Sequence, residues 1–116
     1  MIIVVEGTKS FEDYEIFMRA MGVALSNTSD NTEIQVWSAG PHKINSFTAA
    51  FCNSSENFLK AKGFKISFSK AHPSWIFQNI SYVNYFAFFS LPKEPLSRLV
   101  QQAQLVESCE VGIFRY

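Results

Sequence analysis

Two carboxylates in this 116-residue chain sit where chemistry is plausible. Glu6 closes the apolar run Ile2-Ile3-Val4-Val5 and stands beside Gly7, and Glu94 lies in the segment Leu91-Pro92-Lys93-Glu94-Pro95. Glycosidic cleavage needs a carboxylate near an oxocarbenium-like centre, so both are catalytic candidates. The plainer reading of Glu6 is a solvated strand end, or an ion-pair partner of Lys9 or Lys43. Three short segments hold further chemistry: Gly7-Thr8-Lys9-Ser10; Ser38-Ala39-Gly40-Pro41-His42-Lys43, with Asn45 just beyond; and Ser90-Leu91-Pro92-Lys93-Glu94. Gly7 and Gly40 would let a ligand approach the backbone. Thr8, Ser10 and Ser38 supply hydroxyls, Lys9, Lys43 and Lys93 supply positive charge, and His42 could act as a general base or a phosphate ligand. If a helix follows each segment, free backbone N–H groups and the helix dipole add to an anion site. A phosphate-bearing small molecule fits this chemistry. For any one segment the alternative is a turn glycine and a solvated lysine, so the inference requires that all three converge.

Convergence depends on the elements between them. Ile2 to Glu6 reads as a strand buried on both faces. Ser10 is placed to cap a helix that carries Tyr14, Phe17, Met18, Met21 and Leu25 on one stripe. Ser26 to Thr32 reads as a loop and Glu33 to Ser38 as a second strand, ended by Ala39-Gly40-Pro41. A second helix is expected from Asn45 or Ser46, with Phe47, Ala50, Phe51, Ser54 and Phe58 as its buried stripe and Gly63 closing it. Phe64 to Ser69 alternates apolar and polar residues, as an edge strand does. Ser74 is placed to cap a short helix over Trp75 to Tyr82. Tyr85 to Phe89 is the fourth strand, Pro95 opens a last helix through Val106, and Glu110 to Phe114 is the fifth strand. Strict alternation predicts a single α/β domain over residues 1–116, Rossmann-like and doubly wound. The expected sheet is mainly parallel and five-stranded, in the order 3-2-1-4-5, with helices on both faces. Such sheets bind ligands beyond the carboxyl ends of their strands, where the order reverses, and the three segments fall there.

Composition narrows the class. Ten Lys or Arg balance ten Asp or Glu, which argues against a nucleic-acid binder and against a polybasic membrane-surface protein. Cys52, Cys109, His42 and His72 match no zinc spacing, so no metal is expected, and no cofactor. The Met1–Val5 run is too short and too soon followed by Glu6 for a signal peptide, so a cytoplasmic protein with reduced thiols is expected. Cys52 reads as packing. Aromatic residues reach 16%, with twelve Phe. The surplus either fills a Phe-rich core or lines a pocket or interface. Together with zero net charge it leads to an expected homodimer or higher homo-oligomer. The segment Trp75-Ile76-Phe77, with Tyr82 and Tyr85, could cover a sheet edge, pair two subunits or stack on a base, and Trp37 reads as core.

The pattern Gly7-Thr8-Lys9-Ser10-Phe11, followed by Tyr14-Glu15, is similar to the Gly-Ser-Arg opening of the SLOG superfamily, in particular its single-domain YspA-like branch. Those proteins follow the second strand with Gly-Gly-Ala-x-Gly-Ala-Asp; here Ala39-Gly40-Pro41-His42-Lys43-Ile44-Asn45 occupies that stretch, with one Gly kept and Asn45 in the place of Asp. Asn79 to Phe89 resembles the family's segment leading into its fourth strand, while Lys93-Glu94-Pro95 replaces its Gly-Thr. The resemblance implies a Rossmann-like domain that binds nucleotides or nucleotide-derived molecules. The Pro-Gly-Gly-x-Gly-Thr-x-x-x-Glu motif of the glycosidases in the wider group is absent from this sequence. The expected function is therefore non-catalytic binding of a nucleoside phosphate, cyclic nucleotide or ADP-ribose derivative. The chain's small size and aromatic content are similar to those of phage-encoded proteins. That extends the expectation to an anti-defence sponge that sequesters a signalling nucleotide in the host cytoplasm. Two alternatives stay open: a degenerate nucleoside-monophosphate N-glycosidase using Glu6 or Glu94, and a protein-binding or inhibitor module with a vestigial pocket.

Overall fold

The computed structural model describes residues 1–26 and 33–116. These form strands β1 (Ile2–Gly7), β2 (Glu33–Ser38), β3 (Lys65–Lys70), β4 (Tyr85–Ser90) and β5 (Glu110–Arg115). The helices are α1 (Tyr14–Ser26), α2 (His42–Ala61), α3 (Pro73–Gln78) and α4 (Arg98–Gln104), with a 3₁₀ turn at Ile80–Tyr82. The sheet is parallel throughout, in the order β3-β2-β1-β4-β5, as the alternation predicts.

Strand parity divides the core in two. Ile3, Val5, Ile34, Val36, Tyr85, Ala87 and Phe89 pack with Phe17 and Met21 of α1 and Ile44 and Phe51 of α2. Val4, Trp37, Phe86 and Phe88 point the other way, onto Ile76, Leu99 and Val100 of α3 and α4. A parallel strand covered on both faces has no polar face to show, which is why β4 is the unbroken run Tyr-Phe-Ala-Phe-Phe-Ser, buried at every position. The aromatic surplus goes largely into this core. Phe89 lies 5.1 Å from Phe11, 4.9 Å from Phe17 and 5.2 Å from Phe114, centroid to centroid. Phe11, Phe17, Phe86, Phe88 and Phe89 are fully buried, each worth about 1.5–3 kcal/mol of transfer free energy. Phe58, Trp75, Tyr82 and Tyr116 stay exposed. Trp37 is buried, as expected, and meets Trp75 edge-on at 4.8 Å. β3 lies at the sheet edge with Ile66 and Phe68 half-buried and Lys65, Ser67 and Ser69 exposed.

Helix starts differ from the expected ones: in α1, α3 and α4 another side chain does the capping, and α2 begins without a side-chain cap among the described residues. Ser10 does not cap α1; Asp13 does, its carboxylate accepting from Ile16 N–H at 3.1 Å. Ser74 does not cap α3; His72 Nδ1 accepts from Ser74 N–H instead. Pro95 lies outside α4, which Ser97 caps by accepting from Val100 N–H. The expected helix from Trp75 to Tyr82 breaks at Asn79, whose side-chain amide donates back to Trp75 O. α2 starts three residues before Asn45, directly after Pro41. Its buried stripe is Ile44, Thr48, Phe51, Cys52 and Leu59, so Phe58 is 63% exposed and Ala50 and Ser54 are exposed as well. Gly63 follows α2 at φ +86°, as a C-terminal glycine should. The expected loop at Ser26–Thr32 begins with the last residue of α1, and its remainder lies outside the described residues. No helix among the described residues is long and apolar enough to cross a membrane.

Candidate functional site

Parallel strands all end on one side, so the loops after β1 (8–13), β2 (39–41) and β4 (91–97) share one end of the sheet. Backbone hydrogen bonds join them: Gly7 N–H donates to Gly40 O at 3.1 Å and Thr8 N–H to Phe89 O at 2.9 Å. The three segments that carry the chemistry therefore lie at one place, which has two different halves.

The half over β1 and β4 is where the strand order reverses, and the chain's own carboxylates are built into it. Glu94 accepts from Thr8 Oγ1 at 2.8 Å, Ser10 Oγ at 3.1 Å and Leu91 N–H at 2.6 Å. These donors hold its carboxyl below the ordinary glutamate value, the Leu91 amide first and then Thr8. Arg115 donates to the Glu94 carbonyl at 2.6 Å, and the preceding Lys93 takes the left-handed conformation at φ +71°. The hydroxyls of Thr8 and Ser10 are thus engaged by an internal anion. Glu6 faces the α4 side and accepts from Ser97 Oγ. Burial pushes its carboxyl up, and the Ser97 hydrogen bond opposes that only in part. Neither expected lysine pairs with Glu6: Lys43 lies 3.6 Å from Glu12, and Lys9 is exposed. Ser90 Oγ is fully buried on the same face of the sheet as Phe88 and Phe86, without a hydrogen-bond partner among the described residues.

The half over β2 is organised by α2. Gly40 sits at φ +93° before a cis peptide bond to Pro41, and the helix begins at the next residue. Pro41 offers no side-chain hydrogen bond to the first turn, so among the described residues the leading N–H groups of this twenty-residue helix are not capped from the side. His42 and Lys43 are exposed there. Asn45 Oδ1 accepts from the buried Ser38 Oγ at 2.6 Å, which leaves its –NH₂ as a donor beside Gly40. Ser38 is thereby spent on Asn45, and Ala39 N–H on Val5 O. Gly7 is closely packed: a Cβ there would meet Ile44 at 2.8 Å and Phe89 O at 3.1 Å, so the start of α2 lies directly against it.

Ser97, Arg115 and Glu12 belong to this end of the molecule, and their pairings with Glu6, Glu94 and Lys43 carry no local sequence signal, because the partners lie 91, 21 and 31 residues away. Cys52 and Cys109 are buried free thiols, pushed up to about 12 and about 11, chiefly by burial. Among the described residues no three His, Cys, Asp or Glu side chains gather as metal ligands would. A hollow of about 450 Å³ borders the loops at Ser10, Asp13 and Leu91. The larger one, about 530 Å³, is remote from them, between the later turns of α1 and α2 at Met18, Phe51 and Leu59. Comparison of the chain with family models, curated proteins and solved structures finds no significant match.

Proposed function

We propose that the chain is a non-catalytic binding module for a nucleotide-derived anion, with the ligand's phosphate at the start of α2. The observation that supports this is the uncapped first turn of a twenty-residue helix, with His42, Lys43 and the Asn45 amide around it. Backbone N–H groups and the dipole favour an anion there, and Lys9 and Lys93 lie in the neighbouring loops at the same end of the sheet. The SLOG-like layout supports a nucleotide over a bare anion. In its finer form the proposal is a phage-encoded homo-oligomer that sequesters a host signalling nucleotide in the cytoplasm. The test is a thermal-shift screen with mononucleotides, cyclic nucleotides and ADP-ribose derivatives, followed by mass spectrometry of the mixture. One class should raise the melting temperature by mass action, be recovered intact, and give a smaller shift with Lys43→Gln. Failure of every compound to bind below about millimolar concentration ends the proposal.

One observation favours a second reading. The Glu6 carboxyl, raised by burial and held by Ser97, has the protonation bias of a general acid. A degenerate N-glycosidase reading then assigns Glu6 to the leaving group and drops Glu94, whose carboxylate is tied into the loop. It predicts release of free base from a nucleoside monophosphate and loss of that release in Glu6→Gln. Intact nucleotide after long incubation removes it.

A further inference from the structure

We infer that the hollow between α3 and α4 is a binding site for a small planar aromatic anion, on the face of the sheet opposite α2. The hollow measures about 340 Å³ and is lined by Pro73, Ser74, Phe77, Gln78, Arg98 and Leu99. That volume falls in the range of small-molecule sites, about 300–1,000 Å³. Both helices start where β3 and β4 have just ended, so the hollow opens at the carboxyl end of the sheet, where open α/β sheets take their ligands. The Leu99 side of the hollow is buried core, while Arg98 and Gln78 stand exposed at its rim.

Arg98 decides the ligand class. The other two arginines are spoken for: Arg19 pairs with Glu15 at 2.8 Å, and Arg115 donates to the Glu94 carbonyl. Arg98 has no hydrogen bond or ion pair among the described residues, and its guanidinium lies over the Phe77 ring, 5.4 Å from the centroid. A guanidinium resting on an aromatic face keeps its planar fork of N–H donors for a carboxylate or phosphate. Phe77, Leu99 and Pro73 offer apolar surface to the flat body of such a ligand, and the Gln78 amide offers a polar contact at the rim. Ser74 Oγ is held by His72 Nδ1 at 2.7 Å, so it is positioned rather than free to rotate. Among the described residues the larger hollow between α1 and α2 has no such fork; the one cation among them that lines it, Lys62, lies over the exposed Phe58 ring. This site and the one proposed at α2 are on opposite faces, so either can stand without the other.

The test is an NMR titration of the full chain with naphthoate, and in parallel with neutral naphthamide and with inorganic phosphate. Naphthoate should bind at or below about millimolar, and the shifts should centre on the Gln78 side-chain amide and Arg98 Nε–H. Naphthamide and phosphate should each bind at least about tenfold more weakly, because each lacks one half of the match. Arg98→Gln should lose naphthoate binding by about tenfold or more, and Arg98→Lys should recover only part of it. Arg98 is exposed, so both variants should keep the wild-type amide spectrum elsewhere. Phosphate binding as tight as naphthoate, unchanged affinity in Arg98→Gln, shifts confined to other residues, or no saturable shift at all would each overturn the inference.

Discussion

The two halves of the loop end carry similar residue types and use them in opposite ways. Over β1 and β4 the hydroxyls and an amide converge on a carboxylate that the chain supplies itself, Glu94. Over β2 the first turn of α2 lacks a side-chain cap among the described residues and has His42 and Lys43 exposed beside it, Lys43 with only a solvent-exposed pairing to Glu12 at 3.6 Å. The fold rule that places ligands at the reversal of strand order points to the first half, yet the chain's own side chains occupy it. The lesson is that topology fixes where loops meet, while the anion balance of those loops decides which part is left for a ligand.

The largest effect tests how α2 is held against β1. Gly7→Ala should cost about 1–3 kcal/mol, since Ile44 must move and Phe89 O cannot. Urea unfolding measures that cost, and Ile44→Val in the same chain should recover part of it by making room. A Gly7→Ala protein as stable as wild type would mean that the start of α2 is not pinned by this contact. Next in size, Lys43→Gln should weaken a phosphate-bearing ligand by roughly threefold to tenfold, the range expected for one charge at a helix start. Calorimetric titration reads this directly, and equal affinity would move the ligand away from α2. Smaller still is Glu94→Ala. Its hydrogen bonds are exposed or only part-buried, so the effect should be local: faster amide exchange at Leu91 and little change elsewhere. Unchanged exchange would mean that Glu94 does not organise this half.

Strand positions were legible because burial on two faces demands continuous apolar runs, as in Ile3–Val5 and Tyr85–Phe89. The β3 edge was legible because Lys65, Ser67 and Ser69 alternate with Ile66 and Phe68. Helix starts were less so: Ser10, Asp13, Ser74 and Ser97 are all acceptable caps, and only tertiary placement selects among them. The α2 stripe was misplaced because Phe58 outweighs Thr48 on any hydropathy count. Thr48 is nonetheless the buried one, its hydroxyl satisfied by Ile44 O at 2.7 Å. At the site, convergence of the three loops followed from alternation. The engagement of Thr8 by Glu94 did not, because 86 residues separate the partners and no local pattern records the pairing.

The smallest effect separates the two carboxylates within the filled half. Glu94 has a lowered value, so the stability it contributes is present above the ordinary glutamate range and is lost as pH falls through its folded value. Glu6 has a raised value, so its contribution is present at low pH and is lost as pH rises through its folded value. Urea midpoints of wild type, Glu6→Gln and Glu94→Gln from about pH 3 to about pH 8 should therefore diverge in opposite senses. Glu94→Gln should fall behind wild type as pH rises, because wild type alone gains a carboxylate for Thr8, Ser10 and the Leu91 amide. Glu6→Gln should gain on wild type over the same span, because it never has to ionise a half-buried group. If both variants ran parallel to wild type, the hydrogen bonds around Glu94 and the burial of Glu6 would not set their protonation. The contrast drawn between a filled half and an open one would then rest on geometry alone, without the electrostatics that give it a functional sense.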